Sequence, residues 1–278
     1  MIFHTYHYLS PGCPPPVVYN GGPTMSTAGT VGKNTVYAVY WVPPGSTLPP
    51  TYEMTIDTYL QNVAATSGKP TNAYATDQQY YETATDKHHI HYDVSFGGKI
   101  TLPTAFPATG QCKAKYATKP ARACITDQQI QAELKSYLGG HPAQPTGLGA
   151  MYLVFFPEQV LTCFEQTQSI TTECSSAAKT PTTHPAYCGY HSFIGTGTTT
   201  TVLYADLPFP TITASCHTTP EQSPNNTITA DTMISIVSHE QNETITDPLA
   251  NAWHYSTPTH PPTTPEWEIA DECAYVYG

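Results

Sequence analysis

Charge is what this chain lacks most. Only 11% of its 278 residues are Asp, Glu, Lys or Arg, against roughly 25% in an average soluble protein. The ten Lys and Arg form no basic cluster and are outnumbered by 21 Asp and Glu, which argues against nucleic acid or an anionic membrane as partner. No apolar run approaches the roughly 20 residues of a membrane span. The first stretch, "MIFHTYHYLSPGCPPP", has neither a basic start nor a long apolar centre, so as it stands it does not read as a secretion signal. There is no CxxC to suggest a zinc finger, and no GxSxG, P-loop or GxGxxG. Nucleophile-elbow hydrolases and nucleotide enzymes are therefore disfavoured. No internal repeat is evident either.

What is present is cysteine, proline and threonine. Eight Cys in a Thr-rich chain poor in charge point to disulfides and an oxidising compartment, hence a secreted, extracellular protein. The shortest loops pair Cys112 with Cys124 and Cys163 with Cys174; a pair Cys216–Cys273 would tie the last segment to the body. A loop of about a dozen residues stabilises by roughly 3 kcal/mol in the chain-entropy model. The scarcity of carboxylates would also let such a surface keep its character in acid.

The pattern predicts a Pro/Gly-rich N-terminal arm over 1–34 and a single domain over 35–278. Two apolar, β-branched and aromatic runs, 34–42 and 149–157, read as buried strands. Residues 89–96 alternate and end at Gly97-Gly98, which predicts a strand entering a hairpin. Two further strands are expected at 187–194 and 198–208. Helices are expected at 51–68, with Met54, Tyr59, Leu60 and Val63 inward, and at 126–140, with Thr126 as N-cap and Ile130, Leu134 and Leu138 inward. The last two helices are 230–246 and a short terminal one from Glu266. This order suits an α/β (α+β) layer fold in which a mixed sheet packs on the helix 230–246.

That helix carries the most suggestive chemistry. His239 and Glu243 are four residues apart and share a face, Glu240 lies about 100° round, and Asp247 stacks above Glu243. The pattern is HExxE, one residue removed from the HExxH of zinc peptidases, in which two His hold Zn²⁺ and the Glu is the base for water. A carboxylate also binds Zn²⁺, so His239 and Glu243 would be ligands and Glu240 the base. Asp247, or Glu268 and Asp271 near the end, would supply the third ligand. An oxygen-rich set would equally suit Ca²⁺. His191 could face this helix as a ligand or as an oxyanion stabiliser. His89 and His91 would share a strand face and could also bind Zn²⁺ or Cu²⁺. A glycosidase pair could be drawn from Glu240, Glu243, Glu268 and Asp271.

Several segments, in order, resemble the EXORDIUM, or phosphate-induced protein 1, family and its microbial relatives. They are "GGP" (21–23), "VYAVYW" (36–41), "YCGYH" (187–191), "MISIVSHEQNETITDPLANAW" (233–253) and "EIADECAYVYG" (268–278). The resemblance implies that His239, Glu240, Glu243, Asp247, Pro248, Trp253, Glu268, Asp271 and Cys273 belong to one constellation. It also implies secretion and association with cell walls. A separate analogy is zincin-like, since strands, then an edge strand, then a His-Glu helix is the order of such domains. Two functions follow. One is metal-assisted hydrolysis of a peptide bond. The other is a non-catalytic, wall-associated or self-assembling protein that contacts a cell-wall polymer and whose acid cluster is structural.

Overall fold

The two apolar runs lie side by side at the centre of a five-stranded sheet. The computed structural model describes residues 17–25, 34–83, 88–108, 123–164, 174–175, 187–197, 199–210, 216, 222–255 and 268–271. Its strands are β1 (Val18–Tyr19), β2 (Asn34–Trp41), β3 (Tyr81–Glu82), β4 (His88–His89), β5 (Val94–Leu102), β6 (Ala123–Thr126), β7 (Ala150–Phe155), β8 (Val160–Cys163), β9 (Tyr190–Ile194), β10 (Val202–Leu207) and β11 (Trp253–His254). The α-helices are α1 (Pro50–Ala65), α2 (Asp127–Gly140) and α3, the site helix (Ile228–Thr246).

The main sheet runs β5-β2-β7-β10-β9. Its first four strands are parallel, and β9 is antiparallel to β10 at the edge. Parallel strands joined by helical crossovers are buried on both faces, which is why 34–42 and 149–157 are apolar at nearly every position. Alternate residues face opposite layers. Val36, Ala38, Tyr40, Met151, Leu153 and Phe155 pack with α1 and α3. Val39, Trp41, Tyr152 and Val154 pack with Ile130 and Leu134 of α2. The result is a three-layer α/β arrangement, stapled by Cys163–Cys174 as expected.

Three expectations need correction. Residues 94–102 form one continuous strand through Gly97-Gly98, not a hairpin. A bulge at that point shifts the register between Val36 and Tyr37. A Cβ on Gly97 would lie 2.4 Å from the Tyr37 ring, so this glycine serves close packing instead of a turn. On α1 the buried stripe is Tyr52, Ile56, Leu60 and Val63, while Met54 is exposed. Leu60 and Val63 are thus inward as expected and Tyr59 packs partly buried against the core; only Met54 faces away. Cys216 pairs with Cys188, not with Cys273. Cys124 is disulfide-bonded, but its expected partner Cys112 lies outside the described residues. So does most of the expected terminal helix, of which 268–271 form a turn. The expectation for α2 held in detail: Thr126 and Gln129 form a reciprocal capping box.

Residues 17–25, part of the expected arm, are packed against the body. β1 pairs with β11, Met25 is fully buried, and its N–H donates to the Ile245 carbonyl at 2.9 Å. A Cβ on Gly22 would collide with Asn251, so this close approach requires glycine.

A 3₁₀ turn, Ala73–Gln79, buries Asp77 at 2% exposure. Neither carboxylate oxygen of Asp77 has a hydrogen-bond partner among the described residues. Burial therefore pushes this carboxyl well above the usual carboxylate range. A raised pKa in the folded state favours folding fully below about pH 4, and this contribution is lost as pH rises through the folded-state value. Asp77→Asn is expected to raise the melting temperature at pH 7.5 by at least roughly 2–4 °C, the equivalent of about 1 kcal/mol. It should change the melting temperature little at pH 3.5. Thermal melts at both pH values check this.

Candidate metal centre

The site helix crosses beneath the sheet with Ala230, Met233 and Val237 in the core. That places its last three turns against β9 and β10. Gly189 lets it come close: a Cβ there would sit 2.6 Å from Ile236 Cγ2 and 3.3 Å from Glu240 Oε1. On β9 the side chains alternate. Tyr190 joins the core on the α2 side, while His191 meets the site helix, with Nδ1 3.5 Å from Glu240 Oε2 and 3.8 Å from Glu243 Oε2.

Glu243 is fully buried and stands at the centre of the cluster. Its Oε1 is 3.1 Å from His239 Nε2. The same nitrogen lies 3.3 Å from Asp271 Oδ1, and His191 Nε2 lies 3.7 Å from Glu268 Oε1. The turn 268–271 is braced by the Glu268 N–H donating to Asp271 Oδ2 at 3.1 Å. Two sets of three could each hold an ion, with ligand atoms all within 4.8 Å of one another: His239, Glu243 and Asp271, and His191, Glu243 and Glu268. The first set meets solvent, since the His239 side chain is 22% exposed and that of Asp271 13%. The second set is fully buried, and Glu240 is 2% exposed.

So much carboxylate in so little water has electrostatic consequences. Burial raises the pKa of Glu268 well above the usual carboxylate range, and the neighbouring Glu243, Asp247, Asp271 and Glu240 raise it further. Burial works against a charged His239, but Glu243 and Asp271 outweigh it and hold the imidazole well above its ordinary pKa. No Lys or Arg follows Lys179 in the sequence. Histidine is therefore the only basic side chain that the stretch after Lys179 can offer its acids. That signal was available in the sequence, and it would have marked the cluster more sharply than HExxE does.

Asp247 is placed differently from the expected ligand. It caps the C-terminus of the site helix. Its Oδ1 accepts the N–H groups of Asn251 and Ala252, each at 2.6 Å, and its Oδ2 lies 2.8 Å from His254 Nδ1. Only its backbone carbonyl turns toward the cluster, 3.4 Å from His191 Nε2. Sequence reasoning missed His254, whose sole hint was its place one residue after Trp253. His89 and His91 do not share a strand as expected: β4 stops at His89, whose Nδ1 meets the Gln78 carbonyl at 2.8 Å and whose ring packs on Tyr81. On the opposite face Asp127 accepts from Tyr190 (2.8 Å), Tyr204 and Gln131 (2.7 Å), a buried network that anchors α2 to the sheet. A groove of about 670 Å³ between α1 and the first half of the site helix, near Met54, Asn62 and Ile234, lies at the other end of that helix.

No solved structure matches the chain. Over 59 residues it is 48% identical to Protein EXORDIUM-like 3 of Arabidopsis thaliana, a stretch covering 21% of this chain and only 16% of that protein. The model of the phosphate-induced protein 1 conserved region matches residues 125–278, a span that takes in α2, β9, the site helix and the turn at 268–271. With more than half of its length matched, the chain belongs to the phosphate-induced protein 1 family.

Proposed function

We propose that the protein is an extracellular, zincin-like metal-dependent hydrolase acting on a peptide bond, with its metal on His239, Glu243 and Asp271. The observation that carries this reading is the convergence of one imidazole and two carboxylates on the solvent-facing side of the cluster. Two further features support it: a parallel sheet closing on an antiparallel edge strand, β9, and a His-Glu helix that follows and packs against that edge. The donor set, one nitrogen and two oxygens, suits Zn²⁺. Ca²⁺ would ask for six or more oxygens. A bound Zn²⁺ would supply Lewis acidity and lower the pKa of water. Glu240, the residue next to His239 on the site helix, is the general base. His191 holds the Glu240 carboxylate from the sheet side at 3.5 Å. The disulfides Cys163–Cys174 and Cys188–Cys216 support an oxidising, extracellular setting.

A second reading rests on burial. With Glu240, Glu243 and Glu268 each at most 2% exposed, a cation there would also cross-link the site helix to the turn at 268–271 in a non-catalytic wall-associated protein. Elemental analysis of the purified chain tests the shared premise. Zinc is expected in the wild type, and His239→Ala is expected to lose one equivalent of it. Equal zinc in both proteins, or none in either, removes His239 as a ligand.

A further inference from the structure

Glu243 presents its two oxygens to two different imidazoles: Oε1 to His239 at 3.1 Å and Oε2 to His191 at 3.8 Å. Each imidazole is backed by a further acid, His239 by Asp271 at 3.3 Å and His191 by Glu268 at 3.7 Å. Those two acids come from one braced turn, three residues apart. The cluster is thus two half-sites, each with one imidazole and one acid, sharing a single glutamate. We propose that the inner half-site, His191, Glu243 and Glu268, binds a second divalent cation, and that Glu243 bridges the two ions. This rests on the reading of the outer half-site as a metal site, since Glu243 is common to both.

Geometry argues for the inner ion: His191, Glu243 and Glu268 offer ligand atoms within 4.8 Å of one another, and all three residues are buried. A divalent ion there would offset the mutual repulsion of the buried carboxylates that it joins. Carboxylates commonly bridge paired ions roughly 3.5–4 Å apart in two-metal hydrolases. The inner donors, two oxygens and one nitrogen, suit a borderline or hard divalent cation. Fully buried, this ion would hold β9, the site helix and the turn at 268–271 together and keep Glu243 oriented for the outer one.

The experiment is calorimetric titration of the chelator-stripped full chain with zinc chloride, with bound metal counted after desalting. The wild type is expected to take up two equivalents. His191→Asn and Glu268→Gln should each take up one, His239→Asn one, and Glu243→Gln fewer than one. Circular dichroism of the metal-free variants checks folding, and Glu268→Gln stands in if His191→Asn does not fold. A wild-type stoichiometry of one that His239→Asn abolishes and Glu268→Gln leaves intact overturns the inner site while the outer one stands. A single equivalent abolished by Glu268→Gln but kept by His239→Asn supports the inner site and sinks the outer. No binding at all overturns both.

Discussion

Glu240→Gln is expected to lower peptide hydrolysis by about 10²- to 10⁴-fold, the usual contribution of a positioned general base, while bound zinc stays at the wild-type level. The substitution is nearly isosteric, so the packing over Gly189 is kept and only the proton acceptor is lost. The variant should also melt within a few degrees of the wild type. These three readouts separate the two functional readings. A catalytic Glu240 loses rate and keeps metal and stability. A structural Glu240 changes the melting temperature and moves no rate. The measurement is turnover of a mixed peptide library by mass spectrometry, with zinc content and a thermal melt on the same preparations. Unchanged turnover in Glu240→Gln would remove the base and, with it, the hydrolase mechanism.

Asp247→Ala should be the most destabilising single change at this end of the molecule, by about 3–5 kcal/mol, because it strips a buried carboxylate from its partners. Two backbone N–H groups, of Asn251 and Ala252, and the imidazole of His254 would lose their acceptor together. At roughly 2–4 °C per kcal/mol for a domain of this size, the melting temperature should fall by about 6–20 °C. Asp247→Asn keeps one oxygen for the backbone donors and should cost distinctly less. Zinc content of the folded fraction should not change in either variant, since neither carboxylate oxygen of Asp247 faces the cluster. Metal loss without loss of stability would instead make Asp247 a ligand, as helical spacing alone had suggested.

That contrast shows where sequence reasoning reached and where it stopped. The apolar runs announced β2 and β7 because strands covered on both faces need no polar side. Thr126 and Gln129 announced the start of α2 because a capping box is chemistry local to four residues. His239, Glu240 and Glu243 were legible for the same reason, since helix geometry relates them without help from the rest of the fold. Asp247 was misplaced because the helix ends at it: one residue further along a regular helix would have faced the cluster, but Asp247 adopts φ −144° and its side chain turns to the following loop. Gly97-Gly98 looked like a turn because glycine pairs usually are; the strand instead runs on through a bulge, with Gly97 under the Tyr37 ring and Gly98 at φ 115°. The partners that complete the cluster, His191 and the turn at 268–271, sit on elements whose positions depend on sheet order, which no local pattern encodes. Two long-range hints remained: the family resemblance that groups Glu268 and Asp271 with the site helix, and the absence of Lys and Arg after Lys179, which is a matter of charge balance, not of secondary structure.

The turn at 268–271 has a consequence for how the molecule is made. It is synthesised about twenty residues after the site helix, so a growing chain presents His239, Glu240 and Glu243 before their remaining acid neighbours exist. Chain order thus separates the segments that build the body from the two acids, Glu268 and Asp271, that add the last like charge to the cluster.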